Sequence, residues 1–126
     1  MKLLHKLSIS TIFIITFGFC TTINVPADYS TIQEGIDAAI DGDTILVHPG
    51  TYYRADSIDH KSLTIMSTGG QDSTFLTLSE DQDYGMFRIE GGRGPENEIQ
   101  VSLKGFTISK FTLEVYNKAN VFLDIF

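Results

Sequence analysis

The 126-residue sequence predicts an all-β chain: a parallel β-helix (solenoid) with one short N-terminal capping α-helix. Three observations lead to this class. One helical periodicity near the front gives way to short strand-like runs only. Two of those runs, around Val101 and Leu103 and around Val121, Leu123 and Ile125, alternate alike and stand 20 residues apart, inside the repeat of roughly 20 to 45 residues typical of solenoids. An antiparallel sandwich would also supply short strands, but it requires hairpin turns and leaves the lone helix unexplained.

The first twenty residues are set aside from the fold. Lys2, His5 and Lys6 make a basic start and Leu7 to Phe19 a nearly unbroken apolar run, the layout of a signal peptide over residues 1 to 20. The run is shorter than the roughly 18 residues a membrane-spanning helix needs, so the mature chain is expected without a membrane segment. Gly18 and Cys20 are small residues three and one positions before Thr21, which makes cleavage after Cys20 the simplest reading. Lipid attachment at Cys20 calls for a small residue just before it, and Phe19 stands there instead. Cys20 is the only cysteine, so residues 21 to 126 are expected to fold without thiols or disulfides. Loss of residues 1 to 20 removes two lysines and no acids, taking the formal charge from −7 to −9. That sign makes nucleic acid an unsuitable partner. Secretion, or display at the cell surface, is the expected destination.

The elements follow in order. Ser30 and Gln33 have capping-box spacing, and Ile32, Ile36, Ala39 and Ile40 then share one face of a helix over 30 to 40, with Gly42 as its stop. A helix of about 11 residues is marginal alone, so its apolar face must cover the open first coil. Thr44 to Val47 reads as a strand packed on both faces. Pro49 and Gly50 suit the second and third positions of a type II turn, and Thr51 to Tyr53 resumes as strand. Further strands are expected within 61–67, 73–79, 84–90, 99–109, 111–117 and 120–126, with Asn117 and Asn120 at coil corners because Asn tolerates left-handed backbone.

The stretch "YSTIQEGIDAAIDGDTILVHPGTYY" closely resembles the opening segment of right-handed parallel β-helix proteins of the pectin-lyase-like superfamily, and "LKGFTIS" at 103 to 109 is similar to a strand that recurs in their coils. The resemblance is specific over residues 25 to 53 and general over 54 to 100. It implies a right-handed coil whose inward aliphatic residues stack in ladders, and an extracellular polysaccharide or cell-surface component as partner. It also raises the alternative of an N-terminal fragment of a polysaccharide-active enzyme, pectate-lyase-like, glycoside hydrolase or pectinesterase. Esterases with this opening carry a Gln-Ala-Val segment after the "GF…I" strand; here "SKFTLEVYN" follows Ile108, so that assignment is withdrawn.

Asp56 with Asp59, and Glu80 with Asp81 and Asp83, are paired carboxylates, but proximity in sequence does not set two acids across a sugar. No catalytic residue is therefore assigned. Glu80, Asp81 and Asp83 are the calcium candidates, since hard cations favour clustered carboxylates; the run lacks the glycine and the distal glutamate of a calcium loop, and no cofactor is required. His48 and His60 read as turn residues. Residues 90–98, "EGGRGPENE", read as a flexible coil insertion, too acidic for phosphate. Tyr29, Tyr52, Tyr53, Tyr84 and Tyr116 have the aromatic faces that stack on sugars, though rim tyrosines also pack with a wet hydroxyl. The ending "VFLDIF" is apolar and uncapped, and further coils are expected after Phe126. The chain is read as a non-catalytic scaffold or a carbohydrate- or surface-interaction module.

Overall fold

A computed structural model of the chain describes residues 19–53, 57–78, 80–81, 85–92 and 97–125. Most of residues 1 to 20, together with Asp56, Asp83, Tyr84 and Phe126, lies outside them. Among the described residues the chain is mostly β, with a single short helix. Ten described strands run β1 Thr22–Val25, β2 Thr44–Val47, β3 Gly50–Tyr53, β4 Ser57–Asp59, β5 Leu63–Ser67, β6 Thr74–Thr77, β7 Gly85–Glu90, β8 Ile99–Ile108, β9 Phe111–Tyr116 and β10 Ala119–Ile125, and α1 spans Ile32–Ala38 between β1 and β2.

Every described strand pair is parallel. The chain visits three rows in rotation. β1, β2, β5, the first half of β8 and β10 form the first row; β3, β6 and the end of β8 form the second; β4, β7 and β9 form the third. Because β8 serves two rows, seven strands join into one curled sheet, a half-barrel, beside a separate three-stranded sheet. Gly105 makes that double service workable: at φ 73 it turns the strand between Lys104 and Phe106 in a backbone region costly to other residues. The glycine of the "LKGFTI" run is thus a corner.

Register converts sequence alternation into a core. Ile23, Ile45, Ile65, Leu103 and Leu123 are successive partners in one inward column. Beside it, Val25 and Val47 are both fully buried, and Ile58 and Ile89 do the same in the third row. Truncating Ile45 to Ala would cost the roughly 2 to 5 kcal/mol of a buried aliphatic. The apolar run 44–47 invites the same estimate for Leu46, but Leu46 faces outward and is only half-buried; a strand in a curled sheet alternates even where its sequence does not.

The front of the molecule departs from the expected layout in several ways. β1 precedes the helix and pairs with β2, so the first rung is Thr22–Val25 and not Thr44–Val47. The capping box is set one residue later than Ser30 and Gln33 imply: Thr31 is the N-cap and Glu34 its partner, with Ser30 Oγ donating to the same carboxylate at 2.7 Å. Glu34 outcompetes Gln33 because a carboxylate accepts from Thr31 N and Ser30 together, whereas Gln33 reaches across to Ser57, accepting from its N–H at 3.1 Å and donating to its C=O at 3.2 Å. The helix ends at Ala38, with Ala39 as C-cap, well before Gly42. Ile40 is therefore off the helix and 57% exposed. Ile32 and Ile36 face the core as expected, and Gly35 between them sits close enough that an added Cβ would lie 3.3 Å from Val25.

Seven residues of helix cannot hold themselves in water, and two side chains pin the end of α1. Lys61, one coil onward, donates to the carbonyls of Ile36 and Ala39 at 2.8 and 2.9 Å, satisfying orphan acceptors where the last turn has no basic residue. Asp43, only 1% exposed, accepts from the amides of Thr21 and Ile40 at 2.7 and 2.9 Å, tying the strand before the helix to the turn after it.

Candidate functional site

The row-three face and the corner that follows it carry the densest polar arrangement among the described residues. β4, β7 and β9 put Ser57, Arg88 and Glu114 in one outward column and Asp59, Glu90 and Tyr116 in another, reached by alternation from the buried Ile58, Ile89 and Phe87. Neighbouring strands lie about 4.8 Å apart, so these side chains interact across the sheet. Arg88 stands 4.0 Å from both Asp59 and Glu90. Tyr116 donates its hydroxyl to Glu114. That hydrogen bond and the charge of Glu114 hold the Tyr116 phenol above its ordinary pKa. Met86, Arg88, Glu90, Tyr116 and Asn117 surround a depression of about 270 Å³ on this face.

The corner beyond it is built by stacked backbone. His60 N donates to Glu90 O at 2.9 Å and Gly91 N to Tyr116 O at 3.1 Å, so His60, Gly91 and Asn117 lie one above another. His60 and Asn117 adopt left-handed backbone, at φ 57 and 45. Gly91 fits between them because a Cβ there would fall 2.6 Å from Asn117 O. Asn117 is the corner residue its type suggested; Asn120 instead lies within β10, where its amide donates to Glu98.

From the corner to the register partners Leu63 and Val101 of the first row takes three positions in one coil, His60 to Leu63, but ten in the next, Gly91 to Val101. The surplus is the insertion anticipated in 90–98. Its ends are tied by Gly92 N donating to Asn97 O at 3.0 Å, while residues 93–96 lie outside the described ones. A cleft of about 650 Å³ opens there, lined by Asp41, His60, Ser62, Glu90, Asn97 and Glu98 together with Gly92 and Ile99. Its carboxylates are held by donors from neighbouring coils. Ser62 N donates to Asp41 at 2.7 Å and Asn117 to Glu90 at 3.0 Å, while Gln100 N donates to Ser62 Oγ at 3.0 Å. The result is a fixed set of acceptors, suited to polar ligands rich in hydroxyl groups.

The other sequence candidates disperse. Glu80 and Asp81 are exposed at the corner between rows two and three, and Asp83 lies outside the described residues. Among the described residues no three His, Cys, Asp or Glu side chains converge to hold a metal ion. Asp59 belongs to the row-three face, but its proposed companion Asp56 is outside the described residues. His48 sits at the corner between rows one and two, 3.5 Å from Thr68 Oγ1, and its carbonyl accepts from Tyr52 at 2.8 Å. Burial pushes the Tyr52 phenol pKa up. Cys20 is exposed and directed at the carbonyl of Gly42. Among the described residues no helix is long and apolar enough to cross a membrane.

Sequence reasoning assigned His60 and residues 90–98 separately to loops and passed over Asp41, Ser62, Glu98 and Asn117 as cleft partners. The one signal that could have joined them was the unequal spacing of the corners, readable only once the register is known. Comparison with models of protein families, with curated proteins and with solved structures finds no match.

Proposed function

We propose that this chain is the N-terminal part of a secreted or cell-surface right-handed parallel β-helix of the pectin-lyase-like kind, acting as a non-catalytic scaffold that binds extracellular polysaccharide or a cell-surface component. The rotation of the chain through three parallel rows behind a short helix supports the fold, and the opening resemblance supports the hand. The observation that carries the function is the rigid outward surface of row three, where Arg88, Glu90 and Tyr116 adjoin the acidic cleft. The strands that carry these groups are held in register by parallel pairing, so little backbone ordering entropy is spent on binding. The reading requires no metal, and calcium is expected to leave the thermal midpoint unchanged.

A second reading, a fragment of a polysaccharide-active enzyme, draws on the residue types in the cleft, because His60 with Asp41, Glu90 and Glu98 are groups that general acid–base catalysis uses. One experiment separates the two. The purified chain is incubated with insoluble cell-wall polysaccharide and with soluble pectin, with and without calcium, and both pelleted protein and new reducing ends or methanol are measured. Binding without turnover is expected, weakened about tenfold, or about 1.4 kcal/mol, by combined Arg88→Ala and Tyr116→Ala. Sustained product release would reject the scaffold reading in favour of the enzyme, and absence of binding to any polymer would reject both.

A further inference from the structure

A second cleft, of about 380 Å³, lies where the start of α1 meets β3 and shares no lining residue with the acidic one. Its chemistry is the opposite. Ser30, Thr31, Thr51, Tyr52 and Tyr53 line it, and none of its described lining residues carries a charge, on a chain whose formal charge is −7. The walls are rigid. The Tyr52 ring is tethered through its hydroxyl to His48 O at 2.8 Å, and the Gln33 carboxamide clamps the backbone of Ser57. Two groups face solvent unused: Tyr53 is 61% exposed, and among the described residues the Thr51 and Tyr53 hydroxyls have no hydrogen-bond partner.

An exposed aromatic ring beside hydroxyls that can exchange water for ligand groups matches a ligand with one apolar face and a hydroxylated rim. The volume falls in the range, about 300 to 1,000 Å³, of small-molecule sites. Among the described lining residues an anionic sugar would meet no cation, and the negative field of the chain opposes it.

We propose that this cleft binds a neutral saccharide, with a sugar face stacked on Tyr53 and a sugar hydroxyl bonded to Thr51. The site goes beyond the row-three surface and differs from it in place and in the charge of its described lining.

The test is a nuclear magnetic resonance titration of the nitrogen-15-labelled full chain with cellotetraose, mannotetraose and tetragalacturonate. A neutral tetrasaccharide is expected to move the amides of Thr31, Thr51 and Tyr53. Tyr53→Ala should weaken that binding about tenfold and Thr51→Val about fivefold, the losses set by one stacked ring and one hydrogen bond. Tyr53→Phe, which keeps the ring, should retain most of the affinity. Both side chains are exposed on a short strand, so an unchanged thermal midpoint verifies folding. Neutral sugars that leave these amides unmoved, or bind equally to Tyr53→Ala, overturn the proposal. Tetragalacturonate shifts confined to Glu90 and Tyr116 would then leave the row-three reading standing by itself.

Discussion

Single carboxylates at the front of the chain do more for its stability than their exposed neighbours suggest. Burial opposes the charge of Asp43 most strongly, yet the amides of Ile40 and Thr21, with Lys61 nearby, together hold its carboxyl below the usual range. Asp28 is lowered by its bonds to Asn24, and Glu34 by Ser30 and Thr31. Because these folded-state pKa values lie below those of the unfolded chain, each group adds stability that is fully present above about pH 4 and withdrawn as the pH falls through the lowered values. Acid unfolding should therefore begin at the helical front, seen as early loss of amide protection in Thr21, Ile40 and Glu34. Asp43→Asn should cost about 1 to 3 kcal/mol in chemical denaturation, the penalty of poorly satisfied buried amides, and should flatten the acid limb. An unchanged limb would assign the acid sensitivity elsewhere. The capping box illustrates how far single residues could be read in advance. Motif spacing found a box but chose Ser30 and Gln33, because two overlapping candidates differ by one position and only the reach of Gln33 to Ser57 decides between them.

At the scale of elements, α1 is a lid fastened from outside itself. Its seven residues are too few for independent stability, and its C-terminal carbonyls are answered by Lys61. Lys61→Met, which keeps the aliphatic stem and removes the donor, should cost about 1.5 to 3 kcal/mol, the range for hydrogen bonds to a charged group. The loss should appear as faster amide exchange in 36–40 before the strands are affected. The strands within 61–67, 73–79, 84–90 and 99–109 were legible because their alternation is strong. β1 and β4 were not: four and three residues long, they carry too little pattern to stand out, and they exist because a neighbouring strand offers them a backbone ladder. Asn117 was legible as a left-handed corner by residue type, whereas His60 was legible only as a turn residue: its left-handed backbone goes with the bond from its amide to Glu90 O in the next coil.

For the whole molecule, the inward column grades from covered to open. Ile45, Ile65 and Leu103 are 0, 1 and 2% exposed, whereas Leu123, the last partner in the same column, is 46% exposed. Leu103→Ala should therefore cost about 2 to 5 kcal/mol, as a buried truncation leaving a cavity, and Leu123→Ala less than about 1 kcal/mol, as a change near the surface. Equal losses by denaturant titration would mean that the column is capped at both ends. The amino-acid sequence by itself determined that the chain is mostly β, that one short helix stands at its front, and which alternating residues face inward. These depend on periodicities of two and 3.6 residues, which are local. The tertiary structure alone decided which strands stack on which, that Thr22–Val25 makes the first rung, that Lys61 and Asp43 lock the lid, and that residues as distant as Asp41 and Glu98 share a cleft. Those outcomes depend on register between strands 20 or more positions apart, and in a parallel stack register is set by the lengths of the corners and the fit of the inward columns, neither of which any short stretch of sequence contains.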